Sequence, residues 1–570
     1  MLSSPFRAAA APVAAALILL SPASSLPLAG PAALDDATIV HVLDRTGFGG
    51  RAEDVAHLRE IGLDRYLDEQ LHPERLSDAE VRARLADFET LALDSSAIAE
   101  RYYAPLLRER RATKKAAPDD ASAPDAKSRD GAAATMDPAE RARLRELRDT
   151  GRVVMDELGQ QKILRAVYSP RQLEEVLVDF WFNHFNVFAG KGPVRGYVTE
   201  YERDAIRPHV LGRFRDLLGA VAKSPAMLFY LDNWQSVDPK AAEEMSRRLD
   251  GVGTAGGLRG RAGRRRIEQR TGSRATPEAI AQIQQRMPRG LNENYARELM
   301  ELHTLGVAGG YTQADVVEVA KAFTGWTIRG PRQGGGYAFE ERRHTKGPKT
   351  VLGTRIDAGG ERDGEAVLDL LAAHPSTATF IATKLARRFV ADQPPPALVT
   401  RAAATFTSSR GDLRAVVRTI LTSPEFLGAD ARRAKVKTPF EFTVSALRAT
   451  HAEIGSAAAV VQQVRTLGMP LYFAQPPTGY ADTAEAWVNT GALVNRMNFA
   501  VDLTANRVSG VRVDLAALAG TTDVDRAKAW MTTHLLRGQA SESTASTLAR
   551  GTDLPSLVAL SLGSPEFQRR

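Results

Sequence analysis

The chain has 570 residues, of which 44% are hydrophobic and 25% charged, a balance that can bury a sizeable core. It contains no cysteine. Disulfides, thiolate nucleophiles, Fe–S clusters, cysteine-ligated zinc and covalent c-type haem are therefore excluded, and any metal must be held by His, Asp, Glu or Asn. The formal net charge of +7 is local: residues 259–274 hold seven arginines against Glu268, so that stretch carries +6. No aromatic residue interleaves with those arginines. Base stacking, and with it nucleic-acid binding, is unsupported, which leaves a solvated loop or a contact for anionic lipid or glycan.

In chain order, residues 1–25 read as a signal peptide: the positive charge of Arg7, an apolar run over 8–20, then small residues over 21–25. The run is shorter than the about 20 residues of a membrane span, and no later segment is apolar enough to cross a bilayer. The mature protein is thus expected to be exported, periplasmic or extracellular, without a transmembrane span. Residues 35–48 predict a short helix with an Asp start and Gly47 near its end. Residues 52–71 predict a second helix, and 80–111 continue the helical pattern. Residues 112–137 are rich in Ala, Asp, Lys and Pro and predict a disordered insertion. A helix is expected over 169–187 with Pro170 in its first turn, another over 201–218, and a further one starting at Ser224. Residues 232–290 form a long, basic, polar insertion. Glycines at 330, 334, 335, 336, 347 and 353 separate short runs, which predicts a small β-hairpin or meander near 326–356. Helical patterning then runs to residue 570. The expected architecture is mainly α, a single large helical domain over 35–570 with one small β excursion. βαβ alternation is missing.

The chemistry concentrates in residues 291–328. At about 100° per residue, Asn294, Arg297, Glu298 and Glu301 share one helix stripe beside an apolar face of Leu291, Tyr295, Leu299 and Leu302. Carboxylates at i and i+3 can share a metal or a cation, whereas His303 points away from Glu301. The same charges also read as a solvated helix face with simple i, i+4 ion pairs. His184, in WFNHFNVF, continues an apolar stripe between Asn183 and Asn186. It is either a core histidine with satisfied nitrogens or a ligand or base oriented by amides. Thr312 and Asp315 form a capping-box pattern. His344 lies in the glycine-rich β region with Lys346 and Lys349, and Tyr311 and Trp326 read as packing anchors. No HExxH, GxSxG, Walker or dinucleotide-binding pattern occurs.

Those residues carry a resemblance. HVLDRTGFGG, WFNHFNVF, SPAMLFYLDN, NENYARELMELHTLGV, YTQADVVEVAKAFTGW, HPSTATFIATKLARRFV, KTPFEF, LGMPLYFAQPPTGY and WVNTGALVNRMNFA resemble the large bacterial domain of unknown function 1800 family, from about His41 to the C-terminus. The resemblance implies export and a shared extracytoplasmic task with a sulfatase-like exported partner, and it assigns no activity. The family's usual HDxGxK loop corresponds to residues 344–349, where Thr345 stands in place of the aspartate.

The residues together favour a polar site. Glu298, Glu301, His184 and Arg297 are the catalytic candidates, and Asn183, Asn294, His344 and Trp326 the binding candidates. Glu298, Glu301 and His184 are candidate ligands of a divalent metal. The function expected is a metal-assisted enzyme acting on an envelope or extracellular substrate. The alternative is a non-catalytic binding or assembly protein working with an exported partner.

Overall fold

The computed structural model describes residues 34–116, 137–254, 265, 290–330 and 335–570. The signal-peptide expectation, most of the expected disordered insertion and nearly all of the arginine-rich stretch lie outside the described residues.

Helix α1 (Asp36–Thr46) starts where the Asp35 carboxylate accepts the Thr38 amide at 2.6 Å, and it buries Ile39, Val42, Leu43 and Thr46. The single helix expected over 52–71 is two, α2 (Ala52–Ile61) and a second over Leu63–Leu71. Gly62 between them takes φ of 81°, a backbone state that a glycine enters without steric cost. Helical structure continues to Ala116, several residues into the insertion expected to be disordered.

Helix α3 (Pro138–Tyr168) runs for 31 residues, about 46 Å at 1.5 Å per residue, and buries Val154, Leu158, Ile163 and Val167 in its second half. It stops at Ser169 because Pro170 biases the residue before it away from helical dihedrals. The next helix, α4 (Gln172–His184), therefore begins two residues after the proline expected in its first turn. The helix expected over 201–218 is interrupted. A π-helical turn (Tyr201–Ile206) and a 3-10 turn (Arg207–His209) precede α5 (Phe214–Lys223), since Pro208 offers no amide hydrogen to a continuing helix. The polar insertion expected from residue 232 begins with a helix, α6 (Pro239–Thr254).

Helix α7 (Glu293–Met300) is capped by Asn292 and runs into a π-helical turn (Glu301–Leu305) that ends at Gly306, φ 79°. Helix α8 (Gln313–Ala322) begins at the Thr312–Asp315 capping box, with both reciprocal bonds present. The β excursion resolves into two antiparallel pairs, β1 (Trp326–Ile328) with β2 (Tyr337–Phe339), and β3 (Lys349–Val351) with β4 (Thr354–Ile356). The second pair turns at Leu352 and Gly353, both at positive φ, as a tight two-residue hairpin requires. A third small ladder joins β5 (Glu453–Ile454) to β6 (Val511–Arg512).

The remainder is again helical. It includes α9 (Arg362–Ala373), α10 (Pro375–Phe389), α11 (Pro439–Ala449), α12 (Thr490–Thr504) and α13 (Leu554–Gly563). The two Ser-Pro-Glu-Phe sequences are the same local cap: Ser423 accepts the Phe426 amide at 3.1 Å and Ser564 the Phe567 amide at 3.2 Å. The protein is mainly α, and most of its buried apolar residues among those described form one cluster reaching from Ile39 to Phe567.

Candidate functional site

The last turn of α4 docks on the segment around 472–480. The Asn183 amide closes a two-way bond on Tyr480, donating to its carbonyl at 2.8 Å and accepting its N–H at 2.7 Å. Asn186 donates to the carbonyls of Ala474 and Pro476 at 3.0 and 2.9 Å. Gly479 passes so close that a Cβ there would lie 2.4 Å from the Asn183 carbonyl, and its φ is 70°. Asn183→Ala should cost about 1–3 kcal/mol, because it leaves both polar groups of Tyr480 to seek new partners. A urea melt with an unchanged midpoint would contradict that role.

Docking this loop against α10 encloses a cleft of about 280 Å³ lined by Asn183, His184, Lys384, Arg387, Tyr480 and Asp482, among others. His184 is buried, edge-on to Trp181 and Phe185, and its Nε2–H donates to the His303 carbonyl at 3.2 Å. That bond fixes the tautomer and leaves Nδ1 a bare acceptor without a partner among the described residues. Burial, with Lys384 and His303 adding, holds His184 well below the ordinary imidazole range. Burial and Lys384 likewise bring His303 to about 3, so both rings are neutral.

Lys384 makes no hydrogen bond or ion pair among the described residues; its Nζ sits 5.5 Å from the centroid of the Phe380 ring. Burial brings its pKa to about 8, with Asp482 opposing and Arg387 adding to the shift. The acids of the cleft are already engaged, Asp179 with Lys162 at 2.7 Å and Asp482 with Lys435 at 3.4 Å. Arg388 is bound to Glu441 at 2.5 Å.

The expected ligand set of His184, Glu298 and Glu301 does not form. What meets His184 is the backbone of the π-helical turn, the His303 carbonyl, rather than a carboxylate. Among the described residues no group of three His, Asp or Glu side chains is placed to hold a metal. Glu298 is half-buried and makes no hydrogen bond or ion pair among the described residues; burial and then Glu301 raise its pKa against Arg297. Glu301 accepts the Tyr311 hydroxyl at 2.8 Å. Arg297, expected to hold an anion, donates to Gln313 at 2.6 Å, whose amide continues to Glu293 at 2.8 Å. Asn294 is exposed. This stripe ties α7 to the start of α8.

Residues 41–569 match the family model described as protein of unknown function (DUF1800). The chain belongs to that family. No curated protein and no solved structure matches it.

The loop at His344 is a buried polar clamp. His344 Nδ1–H donates to the Thr324 carbonyl at 2.8 Å, and Nε2 lies 3.0 Å from Asp363 and 3.2 Å from the Lys349 ammonium. Lys349 also pairs with Asp363, and all three side chains are almost fully buried. The carboxylate of this cluster comes from Asp363 at the start of α9. Trp326, a binding candidate, is fully buried between Phe323 and Tyr337. Helix α9 closes on it so tightly that a Cβ at Gly364 would stand 2.5 Å from the indole. It is a packing residue. Sequence reasoning missed Lys384, Arg387 and Asp482. Lys384, Arg387 and Arg388 at i, i+3 and i+4 on the largely apolar α10, with no acid on the same helix, were the available signal.

Proposed function

We propose that this protein is an exported enzyme whose active centre is the Lys384 cleft and whose substrate is a small anionic carbonyl compound of the envelope or extracellular space. The observation that carries the reading is an ammonium group set in a cleft of about 280 Å³ with no carboxylate paired to it. A lysine brought to about 8 presents free amine near neutral pH, and desolvation beside another cation is the usual way to make such an amine nucleophilic. The amine attacks the carbonyl carbon, a C–N bond forms, and the carbonyl oxygen leaves as water. Neutral His184, with its unpartnered Nδ1, relays an amine proton to the departing oxygen, so that both amine hydrogens leave in the water and an imine remains. Arg387, whose Nε donates to the Asp392 carbonyl at 3.0 Å, supplies positive charge beside the lysine for the substrate's anionic group. The charged, apolar and small-residue order of residues 1–25 supports export, and no helix among the described residues is long and apolar enough to cross a membrane.

The test is glyoxylate with borohydride, followed by peptide mapping. A reduced adduct should concentrate on Lys384 and vanish in Lys384→Met. Its rate should level off above pH about 8, while exposed lysines keep accelerating toward about 10.5. Adducts spread evenly over the lysines would sink the reading.

One observation favours a second reading, assembly with an exported sulfatase-like partner. Val488 and, on α12, Leu493, Val494 and Val501 are 48%, 42%, 53% and 39% exposed, an apolar stripe uncovered among the described residues. Loss of a co-purified partner in Leu493→Asp/Val494→Asp, with Lys384 unlabelled, would favour it.

A further inference from the structure

A second cavity, of about 1250 Å³, lies between α1, α2 and the C-terminal helices. It is separated from the Lys384 cleft by one shared ion cluster: Arg388 lines the cleft, Arg570 lines the cavity, and both bind Glu441. The deep wall of the cavity gathers Arg433, Lys437, Arg537 and Arg570 within electrostatic reach of one another, with Asp44 as the carboxylate they share. Asp44 stands 3.7 Å from Arg537 Nη1, too far for a hydrogen bond. Glu566, the other acid near Arg433, is occupied by the Ser541 amide at 3.0 Å and the Thr544 hydroxyl at 2.8 Å.

The donors on this wall outnumber their acceptors. Lys437, 4% exposed, makes one hydrogen bond, to Ser445 at 2.8 Å, and otherwise faces the Phe567 ring. Arg570, 3% exposed, leaves Nε and Nη1 unpartnered, as does Nη1 of Arg537. Buried cations are ordinarily paired, and guanidinium forks match the geometry of phosphate and sulfate oxygens. The volume exceeds that of a pocket for one drug-sized ligand, which argues for a ligand bearing several charged groups.

We infer that this cavity is a binding site for a multiply charged oxyanion, a compound carrying several phosphate or sulfate groups, held by Arg433, Lys437, Arg537 and Arg570. The site is independent of the Lys384 chemistry.

Titration calorimetry of the full chain at low salt tests it with two probes, tripolyphosphate and a heparin hexasaccharide. The first is phosphate without a sugar, the second sulfate on a sugar. At least one should bind at one molecule per chain and raise the melting temperature with concentration. The stronger binder indicates which source the site serves. Arg433→Gln/Arg537→Gln, at half-exposed positions, should weaken binding roughly tenfold or more, and Arg465→Gln on a distant exposed surface should leave it unchanged. Should the double variant fold poorly, Lys437→Met takes its place. Binding of neither probe would overturn the inference. So would equal binding by wild type and cavity variants, which would assign it to the arginine-rich stretch over 259–274.

Discussion

Glu441→Gln is expected to destabilise the protein by about 3–5 kcal/mol, the usual cost of removing one partner from a buried ion cluster. Glu441 Oε1 meets Arg388 at 2.5 Å and Arg570 at 3.0 Å, Oε2 accepts the Thr438 amide at 2.8 Å, and all three charged side chains are at most 4% exposed. The amide of glutamine preserves the cap but leaves two buried guanidinium groups without the carboxylate they are paired with. The same residue sets an acid limit. Burial alone would raise its pKa, yet Arg388, Arg570 and the Thr438 amide bring it to about 2 from an ordinary 4.5. A folded value below the unfolded one means that the stabilisation, on the order of 3 kcal/mol, is complete above pH about 4.5 and is lost as pH falls toward 2. Urea melts between pH 7 and 2.5 should show wild type losing its advantage over Glu441→Gln across that window. Parallel curves would remove the assignment.

Asp363→Asn should cost a similar amount, about 3–5 kcal/mol, for the same reason at a different place. It leaves the Lys349 ammonium, 1% exposed, without its carboxylate, while the asparagine oxygen can still accept the Gly359 amide before α9. Adding Lys349→Met should recover part of the loss, because the second change removes the uncompensated charge. A double variant less stable than Asp363→Asn alone would show that Lys349 serves chiefly through its bond to the Thr345 carbonyl.

Some of this was legible before any coordinates. Period and capping marked α1 and α8, because a cap is a contact across three residues and its whole geometry lies in the local sequence. The glycine-rich stretch marked the hairpins, because positive φ at Leu352–Gly353 is also a local demand. Helix boundaries at Gly62, Pro170 and Pro208 were misread in spite of visible breakers. An apolar pattern continues through a breaker as long as both helices face the same core.

The candidate site was legible only in part. His184 is buried, as the apolar stripe of its helix predicts. The partners of His184 and Asn183 lie 119 and 297 residues away, at His303 and Tyr480, and no local spacing encodes such distances. The group that reaches His184 from the π-helical turn over 301–305 is a backbone carbonyl, which side-chain periodicity does not mark.

By itself the sequence determined the α class, the absence of thiol chemistry, the caps and turns, and family membership, all properties of composition or of residues close in the chain. Which charges lack partners, where the two cavities lie, and which lysines are desolvated were decided by tertiary structure alone. Desolvation and pairing depend on what packs against a side chain from other elements, and those neighbours arrive from anywhere in the chain.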